Sequence, residues 1–188
     1  LERFHRDFPS AHIKVINKTS IKCVELLETG QVDLIVTNYP NQYLSNVSSI
    51  KKIRTFKDVF IANKSFEQLK GQKLSYEQLS KYPILMLDKR STTSEFLHRL
   101  FQQHHLDLVP EIELTSNDLL IDLARIGLGI AFIPDFCIQE PNDDLFIVET
   151  EEELPTRELV IAHNEQIPLT KASEEFLNYF EDCGTERS

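Results

Sequence analysis

Short apolar runs alternate along this sequence with segments of helical period, and a hydroxyl or amide side chain stands at the head of nearly every helical segment. That rhythm predicts βαβ units and a mainly parallel sheet. His12–Asn17 reads as a strand with Ile13 and Val15 on one face. Thr19 or Ser20 can cap the helix that follows. Its Ile21, Val24 and Leu27 recur at helical spacing, and Gly30 stops it. The run within 31–38 suits a strand buried on both faces, 40–49 is loop-like, and 50–62 is a long strand.

A second set of elements follows. Ser75 opens a short helix with Gln78 at the reciprocal capping position. Tyr82–Asp88 is a buried strand. Thr92-Thr93-Ser94-Glu95 reads as a capping box before a helix that carries Phe96, Leu97, Leu100 and Phe101. Pro110–Leu114 is a strand, and Ser116 or Asn117 caps a helix with Leu119, Leu120 and Leu123 facing inward. Gly127 ends that helix, and Leu128–Ile133 is a strand closed by Pro134. Strands at 144–149 and 159–163 and a helix over 170–183 complete the chain. No run approaches the ~18–20 apolar residues of a membrane span.

Charge narrows the function classes. Residues 1–94 carry 15 basic and 9 acidic side chains, whereas residues 95–188 carry 5 and 21, for a net of −10. An acidic chain repels phosphate backbones, so this segment is not expected to bind nucleic acid by itself. The basic cluster Lys51, Lys52, Arg54, Lys57 and the acidic stretch from Asp143 to Glu153 read as solvated surface. The three cysteines, Cys23, Cys137 and Cys183, are odd in number and far apart. They are expected to be reduced thiols, with a Cys137–Cys183 redox pair as the alternative. The first residues show no basic region followed by an apolar stretch, so a cytoplasmic location is expected.

Motifs for catalysis do not appear. There is no phosphate-binding Gly-x-x-x-x-Gly-Lys loop and no Gly-x-Ser-x-Gly elbow. Gly127-Leu-Gly129 lacks the third glycine of a dinucleotide fingerprint and follows a helix where the fingerprint opens one. The six histidines show no metal-ligand spacing, and His104-His105 fit a helix end. No enzyme activity, metal or cofactor is expected.

Three helix starts carry hydroxyl and amide clusters: Asn17-Lys18-Thr19-Ser20, Arg90-Ser91-Thr92-Thr93-Ser94 and Thr115-Ser116-Asn117. Helix N-termini suit carboxylates and phosphates, and in parallel α/β sheets they gather at the carboxyl ends of strands. Each cluster alone is an ordinary cap. Their recurrence points to a polar small-molecule site, and Lys18, Lys89 and Arg90 suggest an anionic ligand.

The order of these motifs resembles the effector-binding domain of LysR-type transcriptional regulators. The matching residues are Leu1-x-x-Phe4-x-x-x-Phe8-Pro9, then Leu26-Leu27-x-x-Gly30-x-x-Asp33-Leu34-Ile35, and Leu79-x-x-Tyr82-Pro83-Ile84-Leu85. Glu113-x-x-Ser116-Asn117-Asp118 through Gly127-Leu128-Gly129-Ile130-Ala131-Phe132-Ile133-Pro134 follows, with Pro155-x-Arg157-x-Leu159 and the closing helix around Phe176. The resemblance implies two α/β subdomains of the type 2 periplasmic-binding-protein fold, subdomain I at 1–62 with 163–188 and subdomain II at 63–162. Crossover strands would lie near Val59–Asn63 and Val160–Asn164. It implies a small-molecule effector in the cleft between them, held by Lys18, Thr19, Ser20, Arg90, Ser91, Thr92, Thr93, Thr115, Ser116, Phe132 and Pro134. It also implies a homodimer or homotetramer, and promoter DNA bound only through an N-terminal helix-turn-helix domain outside this sequence. The family's first regulatory strand likewise lies outside it, which leaves an open sheet edge and predicts reduced stability or altered association. A solute-binding protein of a transporter is the rival reading, and an enzyme built around Asp88, Arg90 and Ser91 is a third.

Overall fold

The structure is a computed structural model that describes residues 1–44, 48–138 and 144–180. The chain folds as two compact units, Leu1–Arg54 with Glu158–Ser188, and Thr55–Arg157. It passes from one to the other within two long strands, β2 (Ser48–Asn63) and β8 (Thr156–Asn164). No described helix is long and apolar enough to cross a membrane.

The second unit carries the parallel sheet. Strands β4 (Ile84–Leu87), β5 (Ile112–Leu114) and β6 (Ile130–Pro134) pair in parallel, β4 between the other two. Strand β2 joins this group antiparallel to β6 and also pairs antiparallel with β7 (Leu145–Thr150), while the two-residue β3 (Lys73–Leu74) lies parallel to β7. The expected mainly parallel sheet is therefore mixed, because the long strand β2 runs against its neighbours.

Side chains along these strands alternate between two cores, as the pleat requires. Ile84, Met86, Phe60, Ala62, Ile130 and Phe132 meet Leu97, Leu100 and Phe101 of α4 (Thr92–Gln103). Leu85, Ile61, Ala131 and Ile133 meet Leu120 and Ala124 of α5 (Asn117–Arg125). Burial on both faces is why these strands read as continuous apolar runs. Leu119, expected inward, is instead 45% exposed on the outer side of α5.

Caps set the helix boundaries. The Ser75–Gln78 box forms reciprocally at the start of α3 (Tyr76–Leu79). Beyond α5, Gly127 takes φ +83° and Leu128 N–H donates back to Leu123 O, a turn that suits glycine. Gly129 answers to a different constraint. A Cβ there would sit 2.5 Å from Pro83 O and 2.9 Å from Leu85 Cδ2, and that same carbonyl accepts from Ile130 N at 2.8 Å. Backbone cannot yield as a side-chain tip can, so Gly129→Ala is expected to destabilise by about 1–3 kcal/mol. A urea midpoint equal to that of the parent protein would contradict this packing.

The first unit holds α1 (Glu2–Asp7), α2 (Ser20–Glu28), β1 (Ile35–Tyr39) and α6 (Lys171–Asn178). Val24 and Leu27 of α2 pack with Ile35 and Ala162. An aromatic group of Phe4, Phe8, Phe176 and Tyr179 joins α1 to α6, with the Tyr179 hydroxyl donating to Asp7 at 2.5 Å. That bond lowers the Asp7 carboxyl and raises the Tyr179 phenol from their ordinary ranges.

Two expectations fail in this unit. Residues 12–17 form no strand. Val15 is 70% exposed and Ile13 42%, and among the described residues no strand ladder includes them. Alternation alone does not make a strand where the backbone groups find no ladder partner. The run at 31–38 is not buried on both faces either. Only Ile35–Tyr39 is strand, antiparallel to β8, with Ile35 and Thr37 buried and Val36 48% exposed. The closing helix ends its described course at Asn178, and Cys183 lies outside the described residues.

Candidate functional site

The parallel strands fix where polar groups collect in the second unit. Leu87 of β4 stands beside Leu114 of β5, and Asp88 N–H donates to Leu114 O at 2.7 Å. The turns after both strands therefore lie side by side at their carboxyl ends. Pro134 closes the parallel neighbour β6 at the same end, opposite Asp58 of β2. This is the edge at which α/β sheets gather ligands.

Two of the hydroxyl-rich helix starts occupy it. Asp88 accepts from Arg90 N–H at 3.0 Å, a local turn that leads into α4. Ser91 is the N-cap, and its Oγ accepts from Ser94 N–H at 3.2 Å. The expected box with Thr92 as cap is thus displaced by one residue, which puts Thr92 and Thr93 inside the first turn. Ser91, Thr92, Thr93 and Ser94 are all buried, between 1% and 4% exposed. Ser116 caps α5 and Thr115 before it is exposed, as are Lys89 and Arg90. Phe132, fully buried, belongs to the core, with its ring 4.7 Å from Phe60 and 6.4 Å from Phe96.

Beneath the α4 turn lies a charged group that sequence reasoning missed. Arg157, 4% exposed, donates from Nη1 to Asp58 Oδ2 at 2.7 Å and to Thr93 Oγ1 at 3.3 Å. From Nη2 it donates to Thr92 Oγ1 at 3.2 Å. The guanidinium lies over the rings of Phe96 (4.9 Å) and Phe56 (5.4 Å). Asp58 is fully buried. Burial pushes its carboxyl up from the ordinary range, Arg157 works against that, and nearby Asp135 adds to it. Asp135 accepts from Lys57 N–H at 3.2 Å. Arg157 thus pairs with Asp58, which has a second carboxylate, Asp135, nearby. Asp58 Oδ1, Asp135 Oδ1 and Ser94 Oγ are buried without a hydrogen-bond partner among the described residues.

A faint signal for this group is present in the sequence. Asp58 and Arg157 are charges of opposite sign at the edges of apolar strand runs, beside Lys57 and Glu158 respectively, and a charge there needs a partner if it is buried. Nothing in the spacing says that the two meet across 99 positions.

The first unit places Lys18, Thr19 and Ser20 at the head of α2. Thr19 is the N-cap by backbone, with no side-chain capping bond, and its carbonyl accepts from Cys23 N–H at 2.9 Å. Lys18 is exposed, and Ser20 begins the helix. Cys23 is partly buried, which raises its thiol.

Comparison with known proteins supplies the context. The family model described as LysR substrate binding domain matches residues 1–183. A probable nitrogen assimilation transcriptional activator of Synechococcus elongatus is 24% identical, over 90% of this chain and 56% of that protein. The HTH-type transcriptional activator CmpR of a Synechocystis strain is 23% identical, over 95% of this chain and 59% of its own length. The chain therefore spans a little over half the length of these curated relatives. Among solved structures, the Synechocystis CcmR regulatory domain in complex with 2-PG superposes with a TM-score of 0.86 at 18% identity, covering 98% of this chain and 89% of that one. The effector binding domain of QuiR in complex with shikimate gives 0.82 at 12% identity, over 99% and 88%.

Proposed function

The chain belongs to the LysR substrate binding domain family, and we propose that it senses a small-molecule effector on behalf of a bacterial LysR-type transcription regulator. The observation that carries this reading is the buried hydroxyl turn of α4 at the carboxyl ends of parallel strands, backed by Arg157. We assign effector contacts to Arg90, Ser91, Thr92, Thr93, Thr115, Ser116 and Pro134 in the second unit and to Lys18, Thr19 and Ser20 in the first, with Phe132 supporting α4 from the core. Lys18 and Arg90 favour an effector with an acidic group. The two compact units are taken as the regulatory subdomains, with borders in β2 and β8 a few residues before those drawn from the sequence.

In the whole protein, a helix-turn-helix domain binds promoter DNA and the sensing domains assemble as a homodimer or homotetramer in the cytoplasm. The effector acts through its differential affinity for two assembly states, and no chemical step is involved. The names of the relatives favour this over a transport receptor, since both are transcriptional activators.

A thermal-shift screen of small metabolites, 2-PG and shikimate included, tests the reading. A specific effector at 100 times its Kd adds about 2.7 kcal/mol. For a chain of this size that is a rise in Tm of roughly 5–10 °C. The reading falls if no compound stabilises the protein and the gene upstream encodes a secretion signal in place of a helix-turn-helix.

A further inference from the structure

We infer that the effector group seated at the α4 turn is a hydrogen-bond donor, a hydroxyl or amino group, and not a carboxylate or phosphate. This rests on the α4 turn being part of the effector site. The one buried cation there, among the described residues, is already committed. Three of the five N–H groups of Arg157 are given to Asp58, Thr92 and Thr93, and the guanidinium lies over the rings of Phe56 and Phe96. Asp58 already neutralises that guanidinium, so an acidic group there would compete for its charge with a fully buried carboxylate.

What the turn lacks is the opposite kind of partner. Asp58 Oδ1 and Asp135 Oδ1 are acceptors, Ser94 Oγ can accept, and all three are buried with none satisfied among the described residues. Asp58 is 0% and Ser94 1% exposed, and Asp58 is linked to the turn through the Arg157 Nη1 that it shares with Thr93. Arg157 pairs with Asp58, and no ion pair among the described residues involves Asp135. Such a carboxylate repels an anion and attracts an ammonium or a polarised hydroxyl. The acidic end of the effector is left to the exposed Arg90.

Amide resonances of 15N-labelled protein decide the matter with four probes: ethylene glycol, ethanolamine, sodium acetate and inorganic phosphate. Ethanolamine or ethylene glycol is expected to shift the Ser94 and Thr93 resonances saturably, and acetate and phosphate to leave them in place. Asp58→Asn is expected to weaken that binding about tenfold. Ser94→Ala, which disturbs packing least, is expected to weaken it several-fold in protein whose Tm is unchanged. Saturable shifts of Ser94 by acetate or phosphate alone would overturn the donor assignment and keep the turn as an effector site. Shifts confined to Thr19 and Ser20, or none with any probe, would overturn the donor assignment and remove the α4 turn from the effector site as well.

Discussion

Arg157→Ala is expected to lower the stability of this protein by about 3–5 kcal/mol, the range for removing one partner of a buried ion pair. The substitution strands Asp58, which is fully buried and has no other cation in contact among the described residues. It also removes the bonds from Arg157 to the Thr92 and Thr93 hydroxyls and takes the guanidinium off two phenylalanine rings. Urea unfolding should show a lower midpoint with an unchanged slope. Arg157→Lys should recover only part of the loss, because a lysine cannot reach Asp58 and two hydroxyls in one plane. Replacing both partners, Asp58→Leu with Arg157→Met, should restore most of it.

The pH dependence follows from the direction in which Asp58 is shifted. Burial holds its carboxyl above the ordinary range, and Arg157 is the main force pulling it back. Without Arg157 the folded protein holds that proton more tightly still. The folded state then binds more protons than the unfolded one between the ordinary carboxylate range and the raised value, so stability falls as pH rises through that window. The deficit of Arg157→Ala should accordingly narrow on acidification from pH 7 towards pH 5. A deficit that is constant or grows on acidification would mean that Asp58 is not the group left stranded.

Phe132→Ala is expected to cost about 3–5 kcal/mol as well, through a different term. The ring is fully buried between Phe60 and Phe96, so truncation removes its transfer energy and leaves a cavity lined by rings that cannot collapse into it. Phe132→Leu should cost much less. Phe132 also backs Phe96, which lies against Arg157, so the alanine variant should loosen the α4 turn without touching a hydroxyl. A loss below about 1 kcal/mol would show that the core closes around the gap.

Much of this architecture could be read from residue order, for reasons that are local. A continuous apolar run such as Ile84–Leu87 is what burial on two faces demands, and Ser75, Ser116 and Thr170 sit where a helix needs an acceptor for its first amides. The errors are equally physical. His12–Asn17 has the alternation of a strand and finds no ladder partner among the described residues. Thr92 has the sequence of a cap, yet Ser91 one residue earlier takes the role, and Thr92 turns inward to Arg157. The Arg157–Asp58 pair was beyond reach because its partners are distant in the chain and only the folded strands bring them together. Candidate ligand groups could be found at helix starts, but not the carboxylates that decide what those groups can accept.

The second unit is one uninterrupted stretch of chain, Thr55–Arg157, whereas the first is made from both ends. During vectorial synthesis the consequences differ. All of the second unit, Asp58 and Arg157 included, is synthesised before Glu158–Ser188, so its folding does not wait for that segment. Strand β1 must wait for its partner, because Ile35 pairs with Ala162, more than a hundred residues later. Until then its edge stands open as a template for other chains. In a nascent polypeptide, aggregation would therefore begin at β1, and a chaperone would have most to do in the interval before β8 arrives.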